Sequence, residues 1–239
     1  MRLGIMQPYF FPYVGHFALI AHTDRWIVFD ASQYTPRSWM NRNRILHPQS
    51  GWTYVNAPLA HSSITLRIWQ ARVGAPREVR RSLLGKLSHY RRRAPYYERA
   101  IALVEESFER LGSDDSLVAL DVCGLSSVCD YLGLDFNCQV CTRLGLDLQD
   151  VDGPGGWAPE IARQLGAQSY LNPANGRELF NPEDFRRHGI NLEFLEFSEF
   201  TYDAGAYVFE PGLSVLDAVM WNSPERIRQA IFDGTRIVR

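Results

Sequence analysis

Gly4-Ile5-Met6-Gln7-Pro8-Tyr9-Phe10-Phe11-Pro12-Tyr13-Val14-Gly15-His16-Phe17-Ala18-Leu19-Ile20 is the stretch that decides the fold of this chain. The apolar run Leu3–Gln7 has the length of a buried strand and stops where the prolines begin. A loop with two prolines and four aromatics follows, and Tyr13–Ala21 then reads as an apolar-faced helix with Gly15-His16 in its first turn. The same alternation recurs downstream. Strand-like runs lie at Trp26–Asp30, Asn137–Cys141, Ser169–Leu171 and Asn191–Phe197. Helical patterns cover Glu78–Tyr90, Tyr96–Leu111, Ser116–Leu132, Trp157–Leu165, Pro182–His188, Leu213–Trp221 and Pro224–Phe232. Strands separated by helix-sized segments predict an α/β fold with a mainly parallel, Rossmann-like sheet covered by helices.

One stretch breaks the rhythm. Arg44–Leu46, Thr53–Asn56 and Ile64–Trp69 read as strands of a hairpin, which with the helices after it forms an inserted subdomain over about 43–112. The whole of 1–239 is expected to be one domain, long enough to bury a core without disulfides or structural metal. The glycine-rich segment from Asp150 to Gly156 reads as a mobile loop.

Composition narrows the function classes. Net charge is −2 and 22% of residues are charged, so no global excess of positive charge points to nucleic acid or an anionic membrane. No apolar run is long enough to span a bilayer, and the N-terminus lacks the layout of a secretory signal. These features predict a cytoplasmic protein with no membrane partner, whose four cysteines are reduced thiols. Cys138 and Cys141 are three apart on an expected strand, so they face opposite sides and read as structural thiols rather than a metal pair. The sequence names no cofactor and no metal site, and it leaves the oligomeric state open.

Candidate chemistry gathers in the first 45 residues. Open parallel sheets bind ligands at the carboxyl ends of their strands, where a helix N-terminus offers free N–H groups to phosphate or carboxylate. Gln7, Tyr9 and His16 sit at such a place. The layout resembles that of nucleotidyltransferases and class I synthetases, which carry a His-x-Gly-His element after the first strand; Tyr13-Val-Gly-His16 stands there, without the first histidine. Asp30 ends the second strand at the same edge, poised as a base or metal ligand. Gln33, Tyr34, Trp39, Asn41, Arg42 and Asn43 follow as directional donors beside aromatics. Asn172 and Gly176 follow the fourth strand as a tight turn. His16, Asp30, Asn41 and Arg42 are expected to meet in one cleft. Arg77, Arg80, Arg81, Lys86, His89 and Arg91–Arg93 make a basic helix and tail that reads either as an anion-binding face or as a solvated one. Asp217 reads as a structural hydrogen-bond partner.

These motifs resemble the WbqC-like family. Its opening motif is matched by Gln7–Gly15, its Asp…Gln-Tyr…Trp-x-Asn-Arg-Asn pattern by Asp30, Gln33-Tyr34 and Trp39–Asn43, and its later motifs by Ala94–Tyr97 and Phe209–Asp217. Three positions depart from that pattern. His16 stands where an aromatic is expected, Ala31 where a second acid is common, and Asn172-Pro173 where a Ser-Gly-type turn is expected. The resemblance implies a role in surface-polysaccharide or natural-product assembly. The expected activity is a transferase acting on an activated, phosphate-bearing small molecule, either a nucleotide-linked sugar or an acyl or aminoacyl donor, nucleotide-linked or tRNA-linked, with His16 and Asp30 as catalytic groups. The alternative is a non-catalytic binding or scaffold partner of a biosynthetic enzyme, which the missing histidine and missing acid favour.

Overall fold

A computed structural model describes residues 1–61, 63, 65–149, 151 and 153–239. In chain order the elements are β1 (Arg2–Met6), α1 (Val14–Ala21), β2 (Arg25–Val28), β3 (Arg42–Leu46), β4 (Trp52–Asn56), α2 (Pro76–Leu87), α3 (Tyr97–Leu111) and α4 (Leu117–Leu132). Then come β5 (Cys138–Val140), α5 (Gly153–Gln164), β6 (Ser169–Pro173), α6 (Pro182–Arg186), β7 (Asn191–Phe197), α7 (Val215–Trp221), α8 (Pro224–Asp233) and β8 (Thr235–Val238). Six strands form one sheet in the order β5-β2-β1-β6-β7-β8. All neighbours are parallel except β8, which runs antiparallel to β7 at the edge. The expected α/β sheet is therefore present, and every expected sheet strand takes its place in it. Thr235–Val238 is an additional edge strand, too short and too mixed in character to announce itself in the sequence.

Side chains of alternate strand residues feed two cores. Leu3, Ile5, Ile27 and Tyr170 pack with Ala158, Ile161 and Phe185 of α5 and α6 on one face. Trp26, Val28 and Leu171 pack on the other face, in a cluster that runs through α1, α3, α4, α7 and α8. That division follows from the two-residue period of a strand covered on both sides.

Three local expectations are corrected. Ile64–Trp69 is not a third hairpin strand: β3 and β4 form a two-stranded sheet, and Ile64 lies outside the described residues. Residues 66–69 pair instead with the segment after β2, through Tyr34 N–H to Leu66 O (2.8 Å), Ile68 N–H to Ser32 O (3.0 Å) and Trp69 N–H to Asp30 O (3.1 Å). The glycine-rich loop is shorter than expected. Asp150 and Asp152 lie outside the described residues, but Gly153–Gly156 form the first turn of α5. Pro159 consequently lies inside that helix rather than near its start.

Asp121 on α4 is buried with neither carboxyl oxygen paired, and burial pushes its pKa well above the ordinary carboxylate range. The acid is thus neutral in the fold but ionises in the unfolded chain above about pH 4. Stability is fully present below that value and falls as pH rises towards the folded pKa, by about 1.4 kcal/mol per pH unit. Asp121→Asn removes the titration. Its melting temperature should match that of the parent near pH 4 and exceed it by several degrees at pH 7; equal melting curves at both would refute the assignment.

Candidate functional site

Strand β1 lies between β2 and β6, so the chain order reverses at the β1–β6 boundary. Helix α1 leaves β1 towards one face, and α5 enters β6 from the other. A crevice opens at the carboxyl ends of strands where the order reverses, and ligands of open α/β sheets bind there. Two cavities meet at this point. One, about 400 Å³, lies on the α1 side. The other, about 420 Å³, lies on the α5 side. They share Met6, Tyr9, Pro173 and Asn175.

The α1-side cavity is lined by Tyr9, Tyr13, Gly15, His16, Trp39, Asn43 and Gly212, among others. Helix α1 begins at Val14 with no side-chain cap on its first turn. Gly15 is needed there, because a Cβ would stand 2.4 Å from the Tyr13 ring and 2.9 Å from Phe197. His16 is 4% exposed, and its Nε2 has no hydrogen-bond partner. Its ring packs against Tyr9 (5.5 Å), Trp26 (5.1 Å) and Phe17 (6.2 Å), which is how an imidazole fills a position suited to an aromatic. Burial pulls its pKa down to about 3, so the ring is neutral at physiological pH. Burial raises the Tyr9 and Tyr13 hydroxyls, which stay protonated; Tyr13 adds to the shift of Tyr9. The cavity therefore offers neutral donors: two phenols and the open end of a helix, beside a neutral imidazole.

The α5-side cavity is more apolar. Phe29, Trp157, Tyr170, Leu179 and Phe180 form its walls, with Gln7, Ser32, Asn172 and Asn175 as polar members beside Gly176. Phe29 and Trp157 lie 5.2 Å apart at a tilt. Gln7 Nε2 donates to Ser32 Oγ (3.2 Å). Asn172 is fixed on both sides: its Oδ1 accepts from Tyr170 Oη (2.9 Å), and its Nδ2 donates to Pro173 O (2.9 Å). Gly176 packs against that amide so closely that a Cβ would stand 2.4 Å from Asn172 Nδ2.

The remaining sequence-predicted residues lie elsewhere or serve the scaffold. Asp30 is buried; its Oδ1 accepts from Thr142 N–H (3.0 Å) and its Oδ2 from Thr142 Oγ1 (2.6 Å), tying the end of β2 to the turn after β5. It faces a separate cavity with Trp69, Arg72 and Arg143. The single cleft expected for His16, Asp30, Asn41 and Arg42 is not what the fold makes. β2 places Asp30 towards β5, on the side away from the β1–β6 boundary. Asn41 Nδ2 donates to Ala57 O (3.2 Å). Arg42 stacks over Tyr54 (4.4 Å) and Trp39 (6.0 Å). Asn43 is buried and donates to both Phe10 O (3.0 Å) and Phe11 O (2.9 Å). Gln33 bridges to Arg67. Tyr34 is buried beside Asp121, its hydroxyl pushed up by burial and by that acid and drawn down by Arg42.

The family model of the WbqC-like proteins matches residues 7–229. The chain belongs to the WbqC-like protein family. The match begins at Gln7, inside the crevice, and takes in the lining residues of both cavities apart from Ile5 and Met6. A protein of Mycobacterium tuberculosis (strain ATCC 25618 / H37Rv), Rv1507c, described as uncharacterized, is 26% identical over 220 residues, covering 90% of this chain and 91% of that one. No solved structure matches the chain.

Within this WbqC-like protein, sequence reasoning missed Trp157, Phe29, Asn175 and Gly212 as lining residues. Only Asn175 carried a signal, as the residue beside Gly176 after β6. Trp157 reaches the crevice because α5 covers the opposite face from α1, a consequence of strand order that no local pattern encodes. Among the described residues no three His, Cys, Asp or Glu side chains group as metal ligands, and the four cysteines are free thiols. No helix among the described residues is long and apolar enough to cross a membrane.

Proposed function

We propose that this WbqC-like protein is a transferase whose donor is an activated, phosphate-bearing small molecule held in the crevice at the β1–β6 boundary, and that it serves surface-polysaccharide or natural-product assembly. The observation that carries this reading is the α1-side cavity. There an uncapped helix start, two protonated tyrosines and the orphaned Nε2 of a buried His16 surround about 400 Å³ of space. An orphaned buried polar atom costs about 1–3 kcal/mol, and a bound ligand would relieve it. Helix N–H groups and phenols stabilise phosphate oxygens without a titrating cation. The α5-side cavity would take the rest of the donor, with aromatic walls suited to a planar group and amides suited to hydroxyls. In this reading His16, neutral at physiological pH, meets the anionic end once a small shift of the surrounding rings exposes its Nε2. Asp30 is then structural, tying the end of β2 to the turn after β5 through Thr142.

A second reading, a binding partner without chemistry, draws on one specific observation: the described residues lining the two cavities include no carboxylate. The two are separated by calorimetry and turnover assays with nucleotide-linked sugars and acyl-adenylate analogues. The transferase reading expects at least one donor to bind and be consumed. Asn175→Trp, which fills the shared wall, should weaken that binding more than tenfold, and His16→Ala should weaken it severalfold. Donor binding unchanged by both variants would overturn the site. Binding without turnover against any acceptor would favour the second reading.

A further inference from the structure

Strand β3 carries a second arginine that the site motif does not include. Register places Arg42 opposite Asn56 and Arg44 opposite Tyr54, so both arginines stand on one face of the hairpin, while Asn43, Ile45 and Val55 point inward and are buried. On that outer face the cations alternate with rings. Arg44 stacks over Trp52 (5.0 Å) and Trp39 (5.5 Å), and Arg42 over Tyr54 (4.4 Å) and the same Trp39 (6.0 Å). Trp39 and Trp52 are 39% and 40% exposed. Two guanidinium groups thus share one indole, and among the described residues neither is ion-paired. Their Nε donors are both buried without an acceptor. The nearby basic helix differs: Arg80 pairs with Glu105, and Arg81 with Glu78.

The rim of the crevice is where this ladder ends. Trp39 lines the α1-side cavity, and so does Gly212, whose carbonyl accepts from Arg44 Nη2 (3.2 Å). The Arg44 guanidinium therefore spans two residues of the cavity mouth. Holding two like charges on one ring without a counter-ion is unfavourable, and an anion with more than one charge relieves it. Arginine forks suit phosphate oxygens, and stacking keeps them pre-organised.

We infer that Arg42 and Arg44 form a diphosphate clamp at the mouth of the crevice, so that the donor is a nucleoside-diphosphate-linked molecule rather than a monophosphate ester or an acyl-adenylate. The clamp deepens the transferase reading and rests on its crevice. One bridging diphosphate can engage both guanidinium groups, whereas a single monophosphate leaves one of them uncompensated.

Calorimetry at low and moderate salt tests this with inorganic pyrophosphate and UDP, against inorganic phosphate and UMP. The diphosphates are expected to bind at least tenfold more tightly than their monophosphate counterparts. Arg42→Gln and Arg44→Gln should each erase that preference, and Arg44→Lys should restore only part of it. Circular dichroism identifies any variant that misfolds, and Arg42→Lys then serves as the second probe. Equal affinity for mono- and diphosphates, or a preference that survives both glutamine variants, would overturn the clamp. Asn175→Trp separates this result from the crevice reading. Pyrophosphate binding lost in the arginine variants but intact in Asn175→Trp, with no donor turned over, would leave the clamp standing and sink the transferase. Donors bound in the crevice without diphosphate preference would do the reverse.

Discussion

Asn43→Ala is expected to lower the unfolding free energy by about 3 kcal/mol, roughly one for each hydrogen bond it breaks. The Asn43 amide donates to the carbonyls of Phe10 and Phe11, and its Oδ1 accepts from Arg44 N–H (2.8 Å). Phe11 needs that support because its φ is 41°, a left-handed conformation that a bulky side chain adopts only at a cost. Three further bonds hold the same loop: Phe10 N–H to Trp39 O (2.9 Å), Ser214 Oγ to Phe11 O (2.7 Å) and Val215 N–H to Pro12 O (2.8 Å). The loop between β1 and α1 is thus clamped from β3 on one side and α7 on the other. Asn43→Asp makes the test sharper. It keeps the shape and the acceptor but replaces the two donor hydrogens with a carboxylate facing two carbonyls, so it should be at least as damaging. Urea titration gives the stability change. Donor affinity should fall in parallel, since Asn43 also lines the α1-side cavity. A stable Asn43→Asp variant with unchanged affinity would show that the loop does not depend on this clamp.

This clamp also shows what a sequence can and cannot say. Asn43 stands out as a polar residue among aromatics, and a ligand contact is the natural first reading. The structure shows it facing inward on β3 and spending both amide hydrogens on backbone carbonyls. Pairings between residues thirty or more apart have no local signature. Asp30 follows the same logic: its place at a strand end was legible, but the neighbour of that strand was not. The sheet itself was legible because each strand is a short apolar run bounded by turns, and burial on both faces imposes that pattern locally. The order β5-β2-β1-β6 was not legible, and that order decides which strand ends form the crevice. His16, Gln7 and Tyr9 lie beside the crevice because they follow β1, which lies at the reversal point. Arg44 was passed over because Asn41-Arg42-Asn43 reads as a motif, whereas the stacking ladder appears only once β3 is paired with β4.

Asp217→Leu is expected to be the most damaging single substitution outside the sheet, costing at least about 2 kcal/mol through two orphaned hydroxyl donors, while Leu46 N–H keeps its second acceptor, Tyr90 Oη (2.9 Å). Asp217 is fully buried on α7. Its Oδ2 accepts from Leu46 N–H (3.1 Å) and from the Tyr90 hydroxyl, and its Oδ1 accepts from the Tyr202 hydroxyl (2.8 Å). Burial raises its pKa, and the bonds from Tyr90, Leu46 and Tyr202 lower it in part. These contacts join the end of β3, the turn after α2 and the segment after β7 at one point. Leucine has the same forked outline and leaves no cavity, but its methyls are larger than the carboxylate oxygens, so overpacking adds to the loss of the hydrogen bonds. Asp217→Asn discriminates further. Its amide oxygen can still serve Leu46 and Tyr90, and the Tyr202 hydroxyl can turn to accept from its NH2, so it should cost much less than leucine. The damage should also reach the hairpin. With Asp217 gone, Leu46 N–H is held only by Tyr90 Oη, whose own hydroxyl has lost its acceptor; the Trp52 end of β3–β4 is then more weakly anchored, and amide exchange in residues 44–54 should accelerate before the sheet strands do. If Asp217→Leu melts at the parent temperature, or if exchange rises first in β1 and β6, then Asp217 does not hold the hairpin against α7.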